Sequence, residues 1–219
     1  MPGHPSITEC PSSNCGPRRN GLTPRFVVIH YTAMDSAAAA IARLCDPAAE
    51  VSAHYLISNG GYITRMVAED QRAWHAGQGS WLGLDDLNSR SIGIELDNRG
   101  THPFAEPQMA ALEHLLRGVM KRWSIPASGI IGHSDLAPGR KSDPGPHFDW
   151  ARLARQGLAA QIRPVPFDML TPDSLGKAAK HAGFTADVPF EVLLAALRLR
   201  CGPWRSGPLQ PEDFQLPSP

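Results

Sequence analysis

The hydrophobic pattern of this 219-residue chain changes period several times, and each change marks an element. Phe26-Val27-Val28-Ile29-His30-Tyr31-Thr32 is a continuous, β-branched run of the kind expected for a strand covered on both faces, and it delivers His30 to its carboxyl end. Ser91 to Leu96 instead alternates, so that Ile92, Ile94 and Leu96 share one face while Gly93 and Glu95 share the other. His54 to Ile57 and Tyr62 to Val67 flank Asn59-Gly60-Gly61, residues that supply positive φ for a tight turn, and predict a hairpin. Ile130-Ile131-Gly132 predicts a short strand that ends at His133.

The helical segments have a different signature. Ser36 to Leu44 is alanine-rich with Ser36 as N-cap, and Pro107 to Trp123 carries Met109, Leu112, Leu116, Val119, Met120 and Trp123 at helical spacing, an amphipathic helix for packing on a sheet. After Gln161 the composition shifts. Arg163-Pro164-Val165-Pro166 reads as a linker, Thr171 caps a helix from Pro172 to His181, and Pro189 opens a second that presents Leu193, Leu194 and Leu197. Two short helices make little core alone, so this region is expected to dock on the main body or pair with the tail; the proline-rich end from Leu209 supports no third helix. The expected organisation is an arm over 1–24, which its prolines and weak periodicity make extended and able to lie across the domain but which is read in preference as a simple lead-in, a main domain over 25–161, and a small helical region over 162–219.

Composition narrows the classes of function. Lysine plus arginine equal aspartate plus glutamate at 21 each, so charge gives no case for nucleic acid or an anionic membrane. No apolar run is long enough for a membrane span, and the first 25 residues lack an apolar signal core, which predicts a cytoplasmic protein with no membrane insertion; a missing leader would make it periplasmic or outer-membrane-associated. Cys10, Cys15, Cys45 and Cys201 form no CxxC pair. Cys10 and Cys15 are close enough in sequence to pair in an oxidising compartment, and reduced thiols are the favoured expectation.

The chemistry concentrates in Gly132 to Pro146, GHSDLAPGRKSDPGP. Its prolines and glycines exclude helix and central strand and stiffen a loop that presents Lys141 and Asp143 ten residues after His133. His30, Glu95 and His133 each lie at or near the end of a separate predicted strand, where α/β sheets gather ligand sites. A lone histidine or glutamate at any of these places is explained as well by structure; convergence is what changes the reading. Two imidazoles, one carboxylate and an open fourth position describe a catalytic zinc site, with Glu95 placed to move a proton and Lys141 to stand against a developing oxyanion. Such an arrangement hydrolyses amides. A calcium loop made from the same residues is disfavoured because calcium takes oxygen ligands. The loop from Ala73 to Leu84 carries Trp74, His75 and Trp81, which either contact a ligand or pin the loop to the core.

The HYT run at His30, SAHYLIS at Ser52, RAWHAG at Arg72, SIGIEL at Ser91 and the GHSDLAPGRKSDPGP stretch, in this order, resemble the zinc-dependent N-acetylmuramoyl-L-alanine amidases of the amidase-2 family. The resemblance covers roughly Asn20 to Gln161. It implies an α/β fold with a central mixed β-sheet flanked by helices, as in peptidoglycan recognition proteins, with the helical C-terminal appendix resembling a peptidoglycan-binding module. It implies one Zn2+ held by His30, His133 and Asp143, Glu95 as acid/base, Lys141 as transition-state stabiliser, and substrate contacts from Tyr31, Trp74, His75 and Asn98. The implied reaction, in a monomer acting on muropeptides, cuts the amide between the lactyl group of N-acetylmuramic acid, or its 1,6-anhydro form, and L-alanine. A non-catalytic peptidoglycan-binding module of the same fold is the alternative, disfavoured because the full ligand set is present.

Overall fold

The computed structural model describes residues 7–218. In chain order the strands and helices are β1 (Ile7–Glu9), β2 (Cys15–Pro17), β3 (Phe26–Tyr31), α1 (Ala37–Cys45), β4 (Tyr55–Ile57), β5 (Ile63–Arg65), β6 (Gln71–Ala73), α2 (Leu87–Arg90), β7 (Ser91–Leu96), α3 (Glu106–Trp123), β8 (Ile130–Gly132), α4 (His133–Leu136), α5 (Trp150–Arg155), β9 (Ile162–Pro164), α6 (Pro172–His181), α7 (Phe190–Cys201) and β10 (Gln215–Pro217). Six strands form the main sheet in the order β1-β5-β4-β7-β3-β8. The β4–β5 hairpin is antiparallel and the other pairings of that sheet are parallel, so the sheet is mixed and flanked by helices as expected. Gly61 turns the hairpin at φ +81°, and a Cβ there would sit 2.6 Å from the Pro107 carbonyl, so the turn needs its glycine twice over.

The alternation of β7 now has a physical meaning. Ile92, Ile94 and Leu96 face α3, where Leu112, Leu116 and Val119 are fully buried with Val27 and Ile29. Each such side chain contributes about 1.5 to 3 kcal/mol on burial, which fixes the register because a one-residue slip would turn all of them out. Gly93 and Glu95 therefore point to the opposite face, together with Val28 and His30. That face is covered by α1 at one end and by α6 and α7 at the other, where Leu175, Leu194 and Leu197 pack on Phe26, Val28 and Ile131.

The arm is no lead-in. Within the described residues β1 adds parallel to β5, β2 pairs antiparallel with β6, and Arg18 donates to the carbonyls of Glu69, Asn88, Ser89 and Ser91. Pro2 and Pro5 lie outside the described residues. Edge pairing uses backbone groups and needs no side-chain period, which is why three-residue strands between prolines left no pattern to read. Cys10 lies with its sulfur 3.9 Å from that of Cys45, while the Cys15 thiol turns to the Ser12 carbonyl, so the neighbour of Cys10 in space is not its neighbour in sequence; all four cysteines are free thiols.

The presumed linker after Gln161 is also a strand. β9 pairs antiparallel with β10, which follows a single turn of 3-10 helix at Pro211–Phe214 in place of a third helix. Arg200 on α7, 5% exposed, ties this region to the main sheet. It donates to Asp135 at 2.9 Å and to the Ile130 carbonyl at 3.2 Å, and its guanidinium stacks 3.3 Å from the Trp150 ring. Those contacts grip the ends of β8 and α4, the segment that carries His133.

Candidate active site

Register assembles the site. In the parallel β3–β7 pair His30 stands beside Glu95, and in the β3–β8 pair Ile29 stands beside Gly132, which puts His133 next to His30 on its other side. The stiff loop then returns: the Ser134 N–H donates to the Asp143 carbonyl at 2.9 Å, and Lys141 N–H to the Ala137 carbonyl at 3.0 Å. Asp143 comes back to within hydrogen-bonding distance of both imidazoles. His30 Nδ1 lies 2.8 Å from Asp143 Oδ2, His133 Nδ1 lies 3.0 Å from the same oxygen, and the two Nδ1 atoms are 3.0 Å apart. All three residues are buried.

This triangle fits a metal ion. A tetrahedral zinc with ligands at about 2.0 to 2.1 Å has ligand atoms on the order of 3.3 Å apart, close to the separations here. His133 Nε2 faces the Ala76 carbonyl at 2.9 Å, an acceptor, so that nitrogen carries the hydrogen and a neutral ring turns the Nδ1 lone pair toward Asp143. Lone pairs and a carboxylate oxygen facing one another repel, and a cation between them removes the conflict. Burial, reinforced by the charge of His133, lowers the His30 pKa to about 4, which keeps that ring neutral and able to ligate at neutral pH. Burial alone would raise the Asp143 carboxyl, but hydrogen bonds and charge from the His133 and His30 rings, once these are protonated, outweigh it and hold it well below the usual carboxylate range.

Glu95 has the opposite character. Burial, with the charge of Asp143 in second place and Lys141 offsetting part of both, pushes its carboxyl up to about 8, and its Oε2 is buried with no hydrogen-bond partner. A carboxyl that exchanges its proton near neutrality beside three ligand atoms is suited to general acid/base work. A cavity of about 380 Å3 opens over this group, lined among others by Tyr31, Arg43, Trp74, Glu95, Lys141 and Asp143. Lys141 is exposed at its wall, near enough for its charge to lower the Glu95 carboxyl in part.

The expected substrate contacts divide. Tyr31 and Trp74 line the cavity, and the Tyr31 hydroxyl meets Ser142 at 3.0 Å. His75 reaches the same wall, yet its ring is turned to His30, with Nδ1 3.0 Å from His30 Nε2. Asn98 is 2% exposed, accepts from the Gly100 N–H at 2.7 Å and donates to the His102 carbonyl at 3.2 Å, so it braces its own loop and is not among the residues that line the cavity. Of the two tryptophans, Trp81 is the one that pins its loop, edge-on to Phe184. Sequence reasoning passed over His54, Asn88 and Arg140. His54 is fully buried and accepts the Gly93 N–H at 2.9 Å, while Arg140 donates to the Ala76 carbonyl at 2.7 Å. No periodicity marks such residues, because each is defined by a backbone group distant in sequence.

A mixed sheet with this constellation at its strand ends has known counterparts. Residues 20–146 match the N-acetylmuramoyl-L-alanine amidase family model, more than half of the chain, and the chain belongs to that family. Among its relatives, the N-acetylmuramoyl-L-alanine amidase AmiD of Escherichia coli K12 is 41% identical over 152 residues, covering 62% of this chain and 54% of that protein. The 1,6-anhydro-N-acetylmuramyl-L-alanine amidase AmpD of Citrobacter freundii is 44% identical over 103 residues, 47% of this chain and 55% of its own length. The chain thus spans about half the length of the curated relatives it matches. In structure it is similar to E. coli AmiD in complex with the substrate anhydro-N-acetylmuramic acid-L-Ala-D-gamma-Glu-L-Lys, with a TM-score of 0.78 and 31% identity over 90% of this chain and 88% of that one.

Proposed function

We propose that this chain is a zinc-dependent amidase that hydrolyses the bond between the lactyl group of N-acetylmuramic acid and L-alanine in peptidoglycan fragments. The observation that carries the reading is the approach of His30, His133 and Asp143 to within 3.0 Å of one another on a cavity floor beside a raised-pKa glutamate. The anhydro-muropeptide bound by the similar AmiD structure supports the substrate class. In this reading His30, His133 and Asp143 would hold the ion, and a bound zinc would supply Lewis acidity and make a water easier to deprotonate at neutral pH.

The protein's own groups do the rest. With the positive charge of a bound cation favouring its ionised form, Glu95 would accept a proton as water attacks the amide carbon and return it to the departing nitrogen, work worth about a hundredfold or more. Lys141 places positive charge where the carbonyl oxygen becomes negative, a contact that strengthens where bound substrate displaces water from the cavity. Asp143, kept anionic by its neighbours, supplies the one negative charge of the ligand set. The proposal extends to a monomer working in cytoplasmic muropeptide recycling, which fractionation of the native protein and sedimentation would test. Digestion of defined anhydro and non-anhydro muropeptides followed by mass spectrometry tests the reaction. The expected products are the sugar with a free lactyl carboxylate and a stem peptide beginning at L-alanine; cleavage inside the peptide, or intact muropeptide, would overturn it.

A further inference from the structure

The two imidazoles can ligate through Nδ1 only if each carries its hydrogen on Nε2, and the structure contains the parts that set this choice. For His133 the part is a backbone carbonyl, that of Ala76, 2.9 Å from Nε2. For His30 it is a chain of side chains. His30 Nε2 lies 3.0 Å from His75 Nδ1, His75 Nε2 lies 3.3 Å from Ser91 Oγ, and the Ser91 hydroxyl donates to the Leu87 carbonyl.

A carbonyl only accepts, so the order of protons along this chain follows from its far end. Ser91 gives its hydrogen to Leu87 and is left to accept. His75 therefore donates from Nε2 and presents a lone pair at Nδ1. His30 donates to that lone pair from Nε2 and turns its own Nδ1 lone pair toward His133 and Asp143. For neutral rings this is the one order that satisfies every contact from Leu87 to His30; it leaves the contacts among His30 Nδ1, His133 Nδ1 and Asp143 Oδ2 without a hydrogen, the place a cation would fill.

Both controlling groups, the His75 ring and the Ala76 carbonyl, belong to consecutive residues of one segment. Asn88, 7% exposed, accepts the N–H of His75 at 3.0 Å and of Ala76 at 2.7 Å through one oxygen, which fixes the segment at that point. Gly93 leaves the space the ring occupies: a Cβ there would come 2.4 Å from His75 Cγ. Arg140 donates to the same Ala76 carbonyl at 2.7 Å and holds it in line.

We propose that the His75–Ala76 segment, clamped by Asn88, fixes both ligand imidazoles in the tautomer that receives the metal, with His75 and Asn88 as positioning residues. The inference rests on the metal reading above and adds to it the groups that prepare the ligands. It accounts for the place of the histidine in RAWHAG, whose ring spends its polar atoms on His30 and Ser91.

Two measurements on the full chain test it. Long-range proton–nitrogen NMR of the chelator-treated wild type reads the tautomers directly; Nε2–H on both His30 and His133 is expected, and Nδ1–H on either overturns the proposal without need of a variant. Zinc affinity is then measured by competition with a chromophoric chelator. His75→Leu and Asn88→Leu are expected to weaken it 10- to 100-fold, the usual cost of losing a group behind a metal-binding histidine. His75→Asn and Asn88→Asp, which retain an acceptor at the critical atom, should recover most of that loss. Folded Leu variants with wild-type affinity, or Asn and Asp variants no better than Leu, would overturn it. If the wild type takes up no zinc, the metal reading itself fails; if it does and the variants match it, only the positioning roles fail.

Discussion

Replacing Glu95 by glutamine removes a titration and keeps the shape, and the effect on the metal-free protein has a sign that the site dictates. The carboxyl is raised from 4.5 to about 8 in the folded state, first by burial and then by Asp143. A group raised in this way contributes stability that is fully present below its unfolded pKa and is lost as pH climbs through the folded one. At ~1.36 kcal/mol per pH unit the whole gap corresponds to at most about 5 kcal/mol, and because the side chain borders an open cavity we take about half of that. Chelator-treated wild type and Glu95→Gln should therefore have similar stability near pH 5. Between pH 5 and pH 9 the wild type should lose about 2 to 3 kcal/mol relative to the variant. Urea denaturation at several pH values in that range measures the difference, and the other carboxylates cancel in the comparison. A difference that stays constant with pH would refute the argument that Glu95 is held protonated by its surroundings.

Other perturbations reach different parts of the account. With zinc bound, Glu95→Gln should retain the metal and lose hydrolysis by a hundredfold or more, and loss of the ion instead would make Glu95 a ligand. Lys141→Ala should lower kcat far more than it raises KM, since its partner charge exists only in the transition state; steady-state kinetics on a defined muropeptide decides. Arg200→Met leaves Asp135 buried at 1% exposure without its ion-pair partner, a loss of about 3 to 5 kcal/mol by denaturation, and should loosen the β8–α4 junction with it. Mild oxidation should join Cys10 to Cys45, whose sulfurs are 3.9 Å apart, and peptide mapping without reductant would show a Cys10–Cys15 link instead if the arm lay elsewhere.

Much of this arrangement is legible in the chain because it is written in local pattern. The buried run ending at His30, the alternation that separates Glu95 from Ile94, and the proline-glycine loop around Lys141 and Asp143 each follow from a period or a backbone constraint. What escaped is nonlocal. β1 and β2 are edge strands of three residues whose pairing depends on where β5 and β6 lie, and β9 resembled a linker because its partner, β10, is some fifty residues away. Asn98 entered only through the family resemblance, and the loop conformation turns it inward to Gly100 and His102. Asn88 and Ser91 act through backbone atoms, and an asparagine or serine in a sequence carries no mark of the carbonyl or N–H it will meet. His75 was visible as a polar residue near aromatic ones, which suggested a ligand contact; its actual partner, His30, is 45 residues upstream.

The central claim is that one zinc, held by His30, His133 and Asp143, makes this chain an amidase. Its most direct test is a metal titration of the chelator-treated protein, with zinc content and muropeptide cleavage measured on the same samples. Cleavage should be absent without metal, rise in proportion to bound zinc and level off at one ion per chain, and His133→Ala should lack both. A wild type that binds muropeptides but neither takes up zinc nor cleaves them, or one that cleaves at full rate without metal, would contradict it.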